Sequence, residues 1–179
     1  MSAAKIARFA VLTAMALILS FIDSLLPLDF IAPGVKLGLA NTVLLYAVYL
    51  MRPRESVLLM VLKVTLSALL LGFSQFPYSL AGGIFSLAVM LTAYRFRFHS
   101  VTVSIAGSVA HNAGQLAMAA VITSTAILVV YLPVLILAGV LTGTATGLTA
   151  KYVLRALASG DARLSEKLVG TDIIAKPGN

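Results

Sequence analysis

The sequence predicts an all-α integral membrane bundle of about six transmembrane helices, with both termini on the cytoplasmic side. Three observations lead there. Of 179 residues, 60% are hydrophobic and only 11% charged, with a mean hydropathy of +1.05; soluble domains carry about 25% charge. Apolar runs near the roughly 20 residues that span a bilayer recur between turn signals. Finally, eight of the 13 basic residues form four pairs, Lys5/Arg8, Arg52/Arg54, Arg95/Arg97 and Lys151/Arg155, at alternate ends of those runs.

The first helix is expected from about Phe9 to Leu26, stopped by Pro27. Its basic start and apolar run imitate a signal peptide, but no small-x-small cleavage pattern follows, so it is taken as an uncleaved membrane helix. Residues 27–34 contain the breaker pair Pro33-Gly34. A second helix is expected over about Val35 to Met51, stopping at Arg52-Pro53-Arg54, and a third from near Glu55 to Leu71. Gly72 to Tyr78 then interrupts the chain, and a fourth, short helix covers about Ser79 to Tyr94. A fifth runs from about Val101 to Ile122. The sixth, about Ala126 to Val153, is long enough to be tilted or broken near Pro133. Residues 1–155 thus make the membrane domain and 156–179 a polar, loosely ordered cytoplasmic tail.

With the N-terminus inside, all four basic pairs are cytoplasmic, and the outside loops hold a single base, Lys36. The net charge of +7 is explained by orientation; the bases flank helices and form no stripe suited to nucleic acid. There is no cysteine, which excludes disulfides and thiolate chemistry. No Walker A loop, HExxH or GxSxG is present. No run of acidic residues offers the magnesium ligands of diphosphate chemistry, because Asp23, Asp29, Glu55, Asp161, Glu166 and Asp172 are scattered. The expectation is a protein without catalytic residues, metal or cofactor.

A few polar residues interrupt the apolar runs. Lys63 lies about 12 Å along the third helix, where a charge is costly unless it faces protein or water. It is either a structural ion pair or part of a ligand cavity. His111, Asn112 and Gln115 fall at similar depth on the fifth helix, with Gln115 one turn from His111. They are either interhelical glue or the floor of a pocket. Lys36 and Asn41 at the outer end of the second helix suggest an anion-binding corner. Asp23 and Asp29 are expected as solvated loop charges, although Asp23 could instead hold a pocket lysine. Asp29, Gln75 and Tyr78 lie in loops that could act as lids. The stripe Gly139, Gly143, Gly147 suits close helix packing, chiefly within the chain, and Ala10-xxx-Ala14 suits either packing or a partner.

The runs Pro33-Gly34-Val35-Lys36-Leu37-Gly38-Leu39-Ala40-Asn41, Ser79-Leu80-Ala81-Gly82-Gly83-Ile84-Phe85-Ser86 and Ala110-His111-Asn112-Ala113-Gly114-Gln115 resemble the Gx transporter family. That family often carries the label heptaprenyl diphosphate synthase component I, and the resemblance covers roughly residues 5–155. It is similar in turn to the substrate-binding S components of energy-coupling factor (ECF) vitamin transporters. The resemblance implies a six-helix component that binds a small molecule toward the outer face. It also implies a transmembrane coupling protein and cytosolic ATPases as partners, docked through a face like Ala10 and Ala14. Substrate binding would fall to Lys36, Asn41, Lys63, His111, Asn112 and Gln115. Two alternatives stay open: a noncatalytic subunit for prenyl diphosphate or quinone synthesis, and a structural anchor of a redox complex.

Overall fold

The computed structural model describes residues 3–25, 38–169 and 171–173. They form seven α-helices: α1 (Ala3–Ser24), α2 (Asn41–Leu50), α3 (Pro53–Leu71), α4 (Phe76–Arg95), α5 (Ser100–Thr123), α6 (Leu132–Gly160) and α7 (Ala162–Leu168). Two 3-10 turns, Phe73–Gln75 and Ala126–Tyr131, lead into α4 and α6. No strand occurs among the described residues.

Four of these segments are long and apolar enough to cross a membrane: α1, α4 with its leading turn, α5, and α6 with its leading turn. The other two expected spans depart from that simple form. Helix α3 has 19 residues, but Arg54, Glu55 and Lys63 load it with charge. Helix α2 has only 10 residues, about 15 Å, or half the hydrocarbon thickness. Nine of its residues, Asn41 to Tyr49, are buried, so it sits inside the bundle and touches little lipid. Exposed apolar side chains such as Val11, Ile18, Leu70, Ile127 and Leu141 form the outer surface expected of a membrane protein.

The helix starts follow local chemistry. Proline 53 occupies the first turn of α3, and the Arg52 N–H donates to the Glu55 carboxylate at 3.0 Å, which satisfies one terminal donor. Proline 77 does the same positional work in α4, which begins at Phe76, three residues before the expected Ser79. In both cases a proline that reads as a breaker is tolerated because the first turn needs no N–H from it. The expected second helix begins later than Val35: Gly38 has φ +77°, a left-handed conformation that favours glycine, and the helix starts at Asn41.

Helices α4, α5 and α6 pack as a slab. A Cβ built on Gly143 would stand 2.6 Å from the Ile105 Cα, and one on Gly147 2.8 Å from the Val101 Cα. On the other side of α5, a Cβ on Gly114 would stand 3.0 Å from the Ala81 carbonyl oxygen. The glycine stripe therefore serves packing within the chain, allowing near backbone-to-backbone contact between helices.

The four basic pairs gather at one end. Lys5 pairs with Glu55 at 3.9 Å, joining the start of α1 to the start of α3. Arg8, Leu50 and Leu157 line one groove, and Tyr49, Arg95 and Thr171 line one cavity. The described part of the tail is packed rather than loose: α6 continues to Gly160, and Leu164, Leu168 and Ile173 are buried in the core. Asp172 accepts from the Ser100 N–H at 2.8 Å and its hydroxyl at 2.7 Å, and meets Lys151 at 3.6 Å. A carboxylate thus neutralises the N-terminus of α5.

Candidate functional site

Toward the other end, polar side chains converge where α1, α2 and α3 meet α4 and α5. Ser20 and Asp23 of α1, Gly38 and Ala40 of the turn before α2, Lys63 and Ser67 of α3, Ser79 of α4, and His111 and Gln115 of α5 line one small cavity. Its volume is about 20 Å³, room for about one water molecule. Lys63, His111 and Gln115, three of the expected binding residues, do come together here. Each is buried, at 6%, 4% and 1% exposure.

Asp23 departs from its expected role as a solvated loop charge. It is only 3% exposed, and its Oδ2 accepts from the Gly38 N–H at 2.8 Å and the Leu39 N–H at 3.1 Å. The reason is the backbone: α2 is a half-length helix, so its irregular entry lies within the bundle, where every N–H needs an internal acceptor. An anionic oxygen that takes two N–H groups meets that need with charge-assisted bonds. The signal was present in the spacing, since the buried Leu12, Ala16, Ser20 and Asp23 follow one another at helical intervals along α1.

Asn41 is 2% exposed, and neither its amide nitrogen nor its amide oxygen has a hydrogen-bond partner among the described residues. A Cβ on Gly38 would stand 2.6 Å from the Asn41 Nδ2 and 3.0 Å from the His111 Cδ2. Glycine 38 therefore lets the amide and the imidazole approach the same turn. On α4, a Cβ at Gly82 would fall 2.8 Å from the His111 ring and from the Gln115 side chain. Gly38 and Gly82 are thus spatial requirements of the site that motif reading noted only as part of a run.

The remaining expected residues are placed differently. The Asn112 Nδ2 donates to the Leu135 carbonyl at 2.9 Å, so Asn112 ties α5 to α6 and does not line the cavity. Gln75 closes the 3-10 turn before α4, and Tyr78 is buried in the first turn of α4; neither forms an open loop. Lys36 and Asp29 lie outside the described residues. Ala10 and Ala14 are exposed on α1. No group of three histidine, cysteine or acidic residues suited to a metal occurs among the described residues.

Residues 12–153 match the family described as heptaprenyl diphosphate synthase component I. The chain belongs to that family. No curated protein and no solved structure matches it. Within the matched segment lie every residue of the polar cavity and three of the four basic pairs in part or whole.

Proposed function

We propose that the chain is the substrate-capturing membrane component of an ECF-like uptake system for a small anionic or amphipathic compound. The observation that carries this reading is the buried Asn41 amide, unpartnered among the described residues. It stands beside a cavity that also gathers Asp23, Lys63, His111 and Gln115. Buried polar atoms are almost always satisfied, so an unpaired amide calls for a ligand or water. Lys63 supplies positive charge in a dry setting, where electrostatic contacts are strong; Asn41, His111 and Gln115 supply direction. Irregular backbone at the head of a half-length helix is a further mark of a membrane binding site. Since the space holds about one water, capture requires α1 and α2 to move away from α4 and α5. Lys36 would contribute further positive charge toward the anion, and Asp29, Gln75 and Tyr78 would serve as a lid. The basic end would face the cytoplasm, and Ala10 and Ala14 would meet a coupling protein driven by ATPases.

The family's description favours a second reading. A component of heptaprenyl diphosphate synthase implies a partner subunit, and the chain would then be its noncatalytic membrane part. An apolar groove of about 480 Å³ between α1, α2, α6 and α7 would suit a prenyl chain.

Native mass spectrometry of the gently purified protein separates the two. A retained small anion, with co-purifying ATPase and coupling subunits, supports capture. A retained prenyl compound with a soluble synthase subunit, and magnesium-dependent condensation by that pair, supports the second reading and rejects the first.

A further inference from the structure

A second cavity lies at the basic end, remote from the polar site. It measures about 220 Å³ and is lined by Tyr49, Tyr94, Arg95, Arg97, Phe98, Val169 and Thr171. That is roughly seven times the liquid volume of one water molecule, room for a phosphate group and the atoms joined to it. Among the described residues its lining includes two arginines and no acidic residue. The nearby acid, Asp172, already accepts from Ser100 and meets Lys151.

The backbone adds an independent sign. Helix α4 ends with the Phe98 N–H donating to the Ala93 carbonyl at 3.2 Å and the Arg97 N–H to the Tyr94 carbonyl at 3.0 Å. This is the Schellman arrangement, in which the residue after the cap turns left-handed and is ordinarily glycine. Here that residue is Arg97, with φ +58°. A long cation is held where a side chain is intrinsically disfavoured, and such outliers cluster at functional sites. Arginine also matches phosphate oxygens with paired donors, which a single point charge does not. Phe96 and Phe98 alternate with the arginines and are 72% and 53% exposed, so apolar surface flanks the cationic cavity.

We propose that the Arg95/Arg97 cavity is a binding site for a phosphate-bearing anion at the basic face of the membrane. The arginines take the phosphate oxygens; the Thr171 hydroxyl, which donates to the Leu168 carbonyl at 2.6 Å, holds the segment that lines the cavity. The phosphate is carried either by an anionic lipid headgroup or by a soluble phosphate compound.

The test is thermal unfolding and native mass spectrometry of the full chain in neutral detergent. Probes are phosphatidylglycerol, phosphatidylcholine and inorganic pyrophosphate. Wild-type protein is expected to retain and be stabilised by phosphatidylglycerol or pyrophosphate. Phosphatidylglycerol alone identifies a lipid headgroup as the source, and pyrophosphate alone a soluble phosphate; a response to both, in competition, shows that the phosphate itself is recognised. Arg97→Gly suits the left-handed turn, so it is expected to fold with an unchanged or higher melting temperature while losing affinity about tenfold. The double change Arg52→Gln/Arg54→Gln is expected to keep full binding. A response that survives Arg97→Gly, or falls equally in the Arg52/Arg54 variant, overturns the proposal, as does no response to either phosphate probe.

Discussion

The two halves of the bundle are held together by different means. In the C-terminal half, α4, α5 and α6 are drawn into near backbone contact by Gly114, Gly139, Gly143 and Gly147. Helices α1, α2 and α3 contain no glycine and so cannot approach a neighbour in this way. The N-terminal half relies instead on side chains, on the Asp23 clasp to Gly38 and Leu39, and on the Lys5–Glu55 pair at the surface. The polar cavity lies at the seam, with His111 and Gln115 from the glycine-packed half and Asp23, Gly38 and Lys63 from the other. The slab thus carries His111 and Gln115, while Asp23, Asn41 and Lys63 sit on elements outside it.

The contrast can be broken most forcefully in the slab. Gly143→Leu places side-chain atoms against the Ile105 backbone, which cannot yield as a flexible side chain would; we expect a loss of about 3 kcal/mol, read as a fall in melting temperature. At the seam, Asp23→Asn removes the charge from two buried acceptor contacts. A cost of about 2 kcal/mol is expected, with hydrogen exchange at Gly38 and Leu39 rising while α5 and α6 stay protected. If exchange rises equally in α5 and α6, the halves are not separable units.

Smaller effects are expected at the basic end and on the lipid-facing surface. Asp172→Ala should cost about 1 kcal/mol, the usual worth of a helix-terminus cap, and expose residues 162–173 to proteolysis. Ala10→Leu with Ala14→Leu, both on exposed positions of α1, should change stability by less than about 0.5 kcal/mol. The same pair should abolish co-purification of a coupling partner. Normal partner recovery would remove that face from the docking surface.

Much of this was legible in the sequence, and the failures share a cause. The all-α class, the gathering of basic pairs and the meeting of Lys63, His111 and Gln115 follow from composition and period, which act along the chain. The helical interval from Leu12, Ala16 and Ser20 carries the burial of Asp23 but not its acceptor role, which depends on an irregular turn fifteen residues away in sequence. Asn112 and Gln115 looked alike by depth, yet three residues rotate them to different neighbours: Asn112 meets α6 and Gln115 meets the cavity. The packed tail was missed because its apolar residues, Leu164, Leu168 and Ile173, are spaced among charges and read as polar overall. Pro77 and Pro53 read as breakers in the sequence, yet each lies in the first turn of a helix.

The seam cavity as a ligand site is the central claim, and retention of a small molecule tests it most directly. Native mass spectra of the wild type, Lys63→Gln and Asn41→Ala should be compared at matched melting temperature. The expected result is a bound small mass in the wild type that both substitutions remove. Equal retention in all three proteins, or a loss only where the fold itself has failed, would contradict it.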